Sequence, residues 1–160
     1  MDYLVIKWLH ILSATLMFGT GFGTAFYMFC ANRSHDVRAI AVVVRYVVLA
    51  DWLFTTPAAI FQPISGLYMA YYAGFPLSAG WLVWSLVLYG IAGACWLPVL
   101  WLQSKMRDMA QQAVRDDTDL PPRYWRYERF WTLLGIPAFS GLIVVYYLMV
   151  VKPDSVPQLL

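Results

Sequence analysis

Charged side chains are scarce in this chain. Only 12% of its 160 residues are Asp, Glu, Lys or Arg, and 61% are hydrophobic, whereas an ordinary soluble domain carries about 25% charged residues. A single soluble domain of this length could not bury so much apolar surface. The composition therefore excludes a soluble enzyme and a disordered tail. The small net charge of +2 also excludes a nucleic-acid-binding protein, which needs a basic face.

Residues that commonly carry chemistry are equally few. The two cysteines, Cys30 and Cys95, lie within apolar runs, where a thiol behaves as a small hydrophobic side chain. They form no CxxC pair, so the sequence holds neither a redox motif nor an attachment site for c-type haem. It also lacks a zinc-type cluster, a phosphate-binding glycine loop and a GxSxG motif. Any chemistry must therefore come from the few polar residues inside the apolar runs.

Long apolar runs make up most of the chain. A helix needs roughly 20 apolar residues to cross the hydrocarbon core of a bilayer, and four stretches reach this length, at about residues 3–30, 39–73, 81–102 and 130–151. Backbone polar groups in lipid must bond within their own segment, so each stretch is predicted to be a helix. The predicted fold is a single all-α domain, a four-helix transmembrane bundle.

The basic residues predict the orientation of this bundle. Nine of the eleven Lys and Arg residues lie in the first and third loop regions, and only Lys7 and Lys152 lie on the other side. Because cytoplasmic loops carry the excess of basic residues, both termini are predicted to be outside. We do not expect a cleaved signal peptide, because Lys7 and His10 interrupt the first apolar stretch.

The second stretch is longer than a span requires, since it would reach roughly 50 Å as one helix. Either its first part, up to about residue 50, projects into the cytoplasm, or the helix breaks at Pro57 and Pro63. Proline removes a backbone hydrogen bond and kinks a helix. We expect both explanations to hold in part.

The segment 103–129 is the only hydrophilic loop of any size and is predicted to be cytoplasmic. Its first half can continue the third helix, which should end at the aspartates from Asp116 onward and at the Pro121–Pro122 pair. The basic and aromatic residues 123–129 then lie at the inner membrane surface, where they either set the topology and contact anionic lipid or form a docking site for a partner.

His10 is the leading candidate for a functional residue, because an ionisable side chain inside a span is costly. It lies about two turns into the first span, in the predicted outer leaflet. Imidazole can ligate haem iron or carry a proton near neutral pH. Lys7 lies one turn away, can reach the outer surface and could pair with a haem propionate. The alternative is an interfacial histidine that hydrogen-bonds to a neighbouring helix.

Asp51 and Gln62 are two further polar candidates within the spans. At the inner interface, Asp51 can be neutralised by Arg45 or by an arginine of the third loop. At greater depth it becomes a candidate for proton relay. Gln62 lies between two prolines, and its amide can bond backbone carbonyls that a proline kink leaves free.

Three other residues could contact a cofactor. Gly66 could let a flat ligand approach the backbone, although packing against another helix is the more common role of such a glycine. Met17 and Met69 could each donate a thioether to iron. Most methionines in lipid-spanning helices instead fill gaps in the packing.

The run Lys7-Trp8-Leu9-His10-Ile11-Leu12-Ser13-Ala14, followed by glycines, resembles the first helix of a group of small bacterial membrane proteins. The group includes the four-helix protoporphyrinogen oxidase of bacteria and the membrane domain of copper-resistance protein D. Short motifs over nearly the whole chain carry a closer resemblance, to a predicted integral-membrane family of unknown function, number 2269. These motifs are Asp51-Trp52, Thr55 to Pro57, Gln62-Pro63, Ser65-Gly66-Leu67, Trp81-Leu82, Trp96-Leu97-Pro98 and Gln103.

The resemblance implies a b-type haem, since a first-helix histidine is associated with this cofactor in the protoporphyrinogen oxidase relatives and corresponds to His10. Their third helix opens with a Trp-Leu-His-x-Lys-like pattern. The matching stretch here, Trp81-Leu82-Val83-Trp84-Ser85, lacks both the histidine and the lysine. This departure argues against oxidase activity and removes the obvious second axial ligand. Met17, Met69, an atypical ligand or an open iron site would take its place.

Three functions from different classes therefore stay open for a protein of the bacterial inner membrane. The first is redox or electron transfer by b-type haem on His10, with quinol as the electron source. The second is a cofactor-free accessory subunit of a larger membrane complex or a homo-oligomer, which the scarcity of intramembrane polar residues favours. The third is a small transporter with Asp51 and Gln62 on its pathway. No catalytic residue is predicted.

Overall fold

The computed structural model describes residues 3–153, and this part of the chain is helical throughout apart from short turns. The five α-helices are α1 (Tyr3–Ser34), α2 (Val37–Ala50), α3 (Thr56–Tyr72), α4 (Gly80–Asp116) and α5 (Pro122–Val151). No strand occurs within residues 3–153. The all-α prediction is confirmed.

Three of these helices are long and apolar enough to cross a membrane, namely α1, α4 and α5. The second predicted span is instead divided into α2 and α3, neither of which reaches spanning length alone. Large apolar side chains stay exposed along the helices, among them Ile60, Leu133 and Val150. Surfaces of this kind are stable against lipid rather than water. The chain is therefore an integral membrane protein with several apolar helices.

A π-helical turn at Asp51–Thr55 joins α2 to α3. It lies just before Pro57, whose ring would clash with the carbonyl of Leu53 in a regular α-helix and which has no N–H to donate. The wider turn lets the Thr56 N–H donate to the carbonyl of Asp51, five residues back. The prediction of a break at Pro57 thus holds as a change of helix type, whereas the predicted break at Pro63 is wrong, because α3 continues through that residue.

The hydrophilic segment after residue 102 does continue the preceding helix, as predicted. α4 runs to Asp116, and Asp117 ends it in a left-handed conformation with φ of 50°. Pro121 is extended, and α5 begins at Pro122. This turn lies beside the α1–α2 turn, since an Arg38 nitrogen is 3.8 Å from an Asp117 carboxylate oxygen. The two turns and the helix ends that flank them are called the basic end.

The main hydrophobic core lies near the basic end, where α1, α2, α4 and α5 meet. Met28, Ile40, Val44 and Met106 are almost completely buried there. Tyr124 is also fully buried, and its hydroxyl donates to Asn32 Oδ1 over 2.8 Å. A smaller cluster around Trp81 and Leu82 lies at the opposite end. Tight packing is therefore concentrated at the two ends of the bundle.

The middle of the bundle is more open. α1 packs on α3 and α2, while α4 packs on α5 and α2. α1 and α5 meet through aromatic side chains, because the ring of Phe139 lies edge-on to Phe18 and Phe22, with centroids 5.8 Å and 6.2 Å away. This arrangement leaves a cavity between α1, α4 and α5.

Candidate functional site

His10 lies where α1 packs against α3. Its Nδ1 is 2.7 Å from the hydroxyl oxygen of Ser65. A Cβ added to Gly66 would lie 3.4 Å from His10 Cε1, so the glycine lets the edge of the imidazole approach the α3 backbone. The expectation of a histidine bonded to a neighbouring helix is thus met. The structure also brings His10 and Gly66, two of the predicted cofactor residues, into direct contact.

The hydrogen bonds of Ser65 determine which nitrogen of His10 carries the proton. Ser65 has one hydroxyl proton, and its oxygen lies 2.7 Å from the carbonyl of Phe61, one turn back on α3. A carbonyl can only accept, so Ser65 donates to Phe61 and accepts from His10. This bonding pattern favours a neutral imidazole with its proton on Nδ1, which leaves the lone pair on Nε2.

Two further bonds hold this part of α1 on α3. Gln62 is buried, and its Nε2 donates to the backbone carbonyl of His10 over 2.9 Å. Ser13 donates to the carbonyl of Ala58 at 3.4 Å. The prediction that Gln62 binds a carbonyl freed by a proline kink is therefore wrong in its target, because the carbonyl belongs to α1. Gln62 fixes the backbone of the residue whose side chain Ser65 orients.

The remaining predicted haem residues are spread around this contact. Lys7 is exposed one turn before His10, and Met69 is half-buried one turn after Ser65 on α3. Met17 is buried two turns further along α1, where its sulfur lies 3.7 Å from the Tyr89 hydroxyl. Met17 also lines the central cavity, which His10, Lys7, Gly66 and Met69 do not. The structure therefore separates Met17 from the other four residues.

The central cavity is an open cleft of about 660 Å³ that is lined by α1, α4 and α5, by the π-helical turn and by the first part of α3. Lining residues such as Phe22 and Ile136 are more than half exposed. Its walls are mostly apolar and aromatic, with Phe18, Phe22 and Phe139 on the α1–α5 side. Tyr89 also contributes to it, and the Tyr89 hydroxyl donates to the carbonyl of Ala59 over 2.7 Å. A cavity of this size and character is typical of a site for a small apolar ligand.

One part of the cavity wall is polar and contains Asp51. The carboxylate of Asp51 accepts a 2.8 Å bond from the hydroxyl of Thr55, and the side-chain amide of Gln103 lies beside it. Asp51 is only 3% exposed. It takes part in neither of the two ion pairs found within residues 3–153, so the expected neutralisation by Arg45 or a loop arginine is not observed.

Three buried polar atoms in the cavity wall have no hydrogen-bond partner among the described residues 3–153. They are Gln103 Oε1, Trp131 Nε1 and Thr132 Oγ1, and all three residues line the cavity. Leaving a buried polar atom unpaired costs about 1–3 kcal/mol, so each such atom calls for a specific explanation. Asp51, Thr55, Gln103, Trp131 and Thr132 are called the polar cluster.

Sequence reasoning found only part of these two sites. It did not single out Tyr89, Trp131 or Thr132, because threonine and aromatic residues are common in membrane helices and carry no spacing signal of their own. Ser65 and Gln103 appeared only as members of short family motifs. The signal that could have identified Gln103 is its position at the end of a span, opposite the similarly placed Asp51.

The donor set limits the metals that the protein could hold. Within residues 3–153, no group of three or more His, Cys, Asp or Glu side chains could hold a metal ion. A structural zinc site needs four protein ligands and a catalytic one commonly three. Haem iron differs, because the porphyrin supplies four nitrogens and one imidazole suffices from the protein side. His10 with a free Nε2 fits the second requirement.

The chain matches one family model, described as "Predicted integral membrane protein (DUF2269)", over residues 4–153. No curated protein and no solved structure is significantly similar to the chain. The similarity thus extends over both the α1–α3 contact and the polar cluster.

Proposed function

The chain belongs to DUF2269, a family of predicted integral membrane proteins, and from this and the α1–α3 contact we propose that it is a b-haem electron-transfer protein. His10 would hold the haem iron, and a membrane quinol would be the electron source. The protein resides in a bacterial inner membrane as a four-span bundle with both termini outside. The observation that carries the proposal is the bond between His10 Nδ1 and Ser65 at 2.7 Å.

The four-span arrangement is supported by the course of the chain between α2 and α4. The π-helical turn and α3 form one helical stretch from Asp51 to Tyr72, which is long enough to cross the hydrocarbon core. Tyr72 stacks on Tyr3 at the start of α1, with ring centroids 5.5 Å apart. The basic end faces the cytoplasm by the charge rule. α2 then projects from the bilayer on that side.

This topology predicts opposite labelling of two exposed turns. Cysteine is placed at Ser78 or at Thr118, both exposed, in a chain whose native Cys30 and Cys95 are replaced by serine. A membrane-impermeant maleimide added to spheroplasts is expected to label Ser78→Cys at once, and Thr118→Cys only after lysis. If only Thr118→Cys were labelled in intact spheroplasts, the orientation would be the opposite of the proposed one. Equal labelling of both variants would rule out the four-span arrangement.

The haem proposal assigns a task to each residue around His10. Ser65 would accept the hydrogen bond from Nδ1–H and so leave Nε2 for the iron, Gln62 fixes the His10 backbone, and Lys7 could pair with a propionate. Such outer hydrogen bonds orient a ligating histidine and raise its basicity. Met69 lies one turn after Ser65 on α3 and could supply a thioether to the iron, whereas the Met17 sulfur already contacts the Tyr89 hydroxyl. The bound haem supplies one-electron redox chemistry.

Ser65→Ala tests the proposed role of the α3 hydroxyl. The variant removes the acceptor for Nδ1–H, and we expect the haem dissociation constant to rise roughly 10- to 100-fold, as for other second-shell changes. The measurement is a haem titration of the apoprotein, followed by its Soret absorbance. Ser85→Ala is the matched control, because Ser85 makes the same bond to the carbonyl four residues back, at 2.7 Å, but contacts no histidine. Equal affinities for the two variants would contradict the assignment.

A second candidate function is a cofactor-free accessory subunit, or a protomer of a homo-oligomer. The observation that favours it is the small share of the apolar stretch of α1 that the chain itself buries. This candidate predicts a colourless protein that co-purifies with a partner in fixed ratio. The transporter proposal has less support, because Asp51 lines the cavity whereas Gln62 bonds to α1 outside it.

A further inference from the structure

The polar cluster combines a large apolar cavity with buried polar atoms that lack partners. Gln103 is 4% exposed and Trp131 is 8% exposed, yet Gln103 Oε1 and Trp131 Nε1 bond to nothing within residues 3–153. Native proteins rarely leave such atoms unpaired. An occupant of the cavity would satisfy them, and its chemistry can be derived from their donor and acceptor character.

The occupant must both accept and donate hydrogen bonds at its polar head. Trp131 Nε1 can only donate, so the head needs an acceptor oxygen. Gln103 Oε1 and the carboxylate of Asp51 can only accept, so the reduced form of the head also needs a hydroxyl. The Thr132 hydroxyl can serve either form. A ring that carries oxygens interchangeable between carbonyl and hydroxyl meets these requirements.

The head must also be electrically neutral. The polar cluster contains the carboxyl group of Asp51, and none of the described residues that line the cavity is Lys or Arg to balance a negative charge. A phosphate-bearing lipid head would find no cation there and would be repelled by an ionised Asp51. The remaining walls are apolar and aromatic, including Phe22, Ile136 and Ile143. They fit an uncharged hydrocarbon tail.

From these features we propose that the cavity binds a membrane quinone and its quinol, with the ring in the polar cluster and the isoprenoid tail along α1 and α5. The tail leaves the bundle between α1 and α5, where the helices meet through Phe18, Phe22 and Phe139. The argument for this site uses only the residues that line the cavity. It does not require haem at His10, because His10 lies outside the cavity. It gives the proposed electron donor a defined location.

Binding of decylubiquinone to the purified full chain in detergent, measured by isothermal titration calorimetry, tests this proposal. We expect saturable binding of one molecule per chain. Trp131→Phe keeps an aromatic ring but removes the donor, and should weaken binding by roughly tenfold. Trp101→Phe is the matched control, because Trp101 is 53% exposed and does not line the cavity. It should leave the affinity unchanged.

A second pair of variants blocks the cavity without removing a polar contact. Gly135 lines the cavity and Gly90 does not, and a Cβ at either position meets no atom within 4 Å. Leucine is a better helix former than glycine, so both Gly135→Leu and Gly90→Leu should fold. We expect Gly135→Leu to abolish decylubiquinone binding and Gly90→Leu to retain it.

Three results would overturn the quinone site. They are no saturable binding to the wild type, equal binding to Gly135→Leu and Gly90→Leu, and a bound phosphatidylglycerol, seen by native mass spectrometry, that decylubiquinone does not displace. The last result would assign the cavity to a phospholipid. Because the readout is the heat of binding rather than haem absorbance, loss of quinone in Gly135→Leu and loss of haem in a His10 variant report on separate sites.

Discussion

His10→Ala is expected to yield a folded protein without haem, whereas the wild type and His35→Ala each retain one haem per chain. His10 supplies the protein ligand in this account, and alanine offers no atom to iron. His35 is the matched control because it is exposed in the α1–α2 turn and packs against Trp125, with ring centroids 5.0 Å apart and the rings tilted by 45°. The pyridine haemochrome assay, normalised to protein concentration, gives the haem content of each variant.

Two haem measurements would contradict this expectation or leave it to a folding control. Haem retained in His10→Ala at the wild-type ratio would remove His10 as the ligand, and haem lost in both histidine variants would point to a general loss of folding. Monodisperse elution of His10→Ala in gel filtration excludes the second explanation. His10→Gln, which keeps a polar side chain at the α1–α3 contact, should fold and also lack haem.

Tyr124→Ala is expected to lower the free energy of unfolding by roughly 3–5 kcal/mol, the usual cost of truncating a large buried aromatic residue. Tyr124 is fully buried in the core near the basic end, and its hydroxyl bonds to Asn32. Tyr124→Phe keeps the ring but leaves Asn32 Oδ1 unpaired, at a cost of about 1–3 kcal/mol. The difference between the two variants separates packing from hydrogen bonding.

Denaturant unfolding in detergent, followed by near-ultraviolet circular dichroism, measures these changes. Tyr147→Ala is the control, because Tyr147 lies on the same helix and is 60% exposed. It should change the free energy of unfolding by less than about 0.5 kcal/mol, as is usual for surface substitutions. A Tyr124→Ala variant as stable as Tyr147→Ala would mean that the core near the basic end does not hold the helices together.

Hydropathy predicted the helical class and the apolar runs, because lipid demands long helices with internally bonded backbones. Charge and turn residues predicted where α4 ends, since Asp117 adopts the left-handed conformation that ends it. The outcome at the two prolines was harder to predict. Pro57 causes a π-helical turn and Pro63 is accommodated within α3, although the sequence signal of the two residues is the same.

The candidate sites were harder to predict than the helices, because they depend on which faces of the helices meet. His10 was identifiable because an ionisable side chain in a membrane span has a high free-energy cost. Its tautomer, however, depends on its contact with Ser65, which lies more than fifty residues later in the chain. Likewise, the sequence shows Gln103 only as a polar residue just after the third predicted span, and it is the packing of α4 that places it beside Asp51. The cavity has no sequence signal, since it is the space that remains in the middle of the bundle, where aromatic side chains such as Phe18 and Phe139 join α1 to α5.

The reduced-minus-oxidised absorption spectrum of the detergent-purified wild-type protein tests the central claim, haem ligation by His10, most directly. The account predicts an α-band at the b-type position and a Soret shift, both present in His35→Ala and absent in His10→Ala. A wild type that is colourless as purified, and that stays colourless after haem is added to the apoprotein, would contradict the claim. The accessory-subunit function would then be the better account.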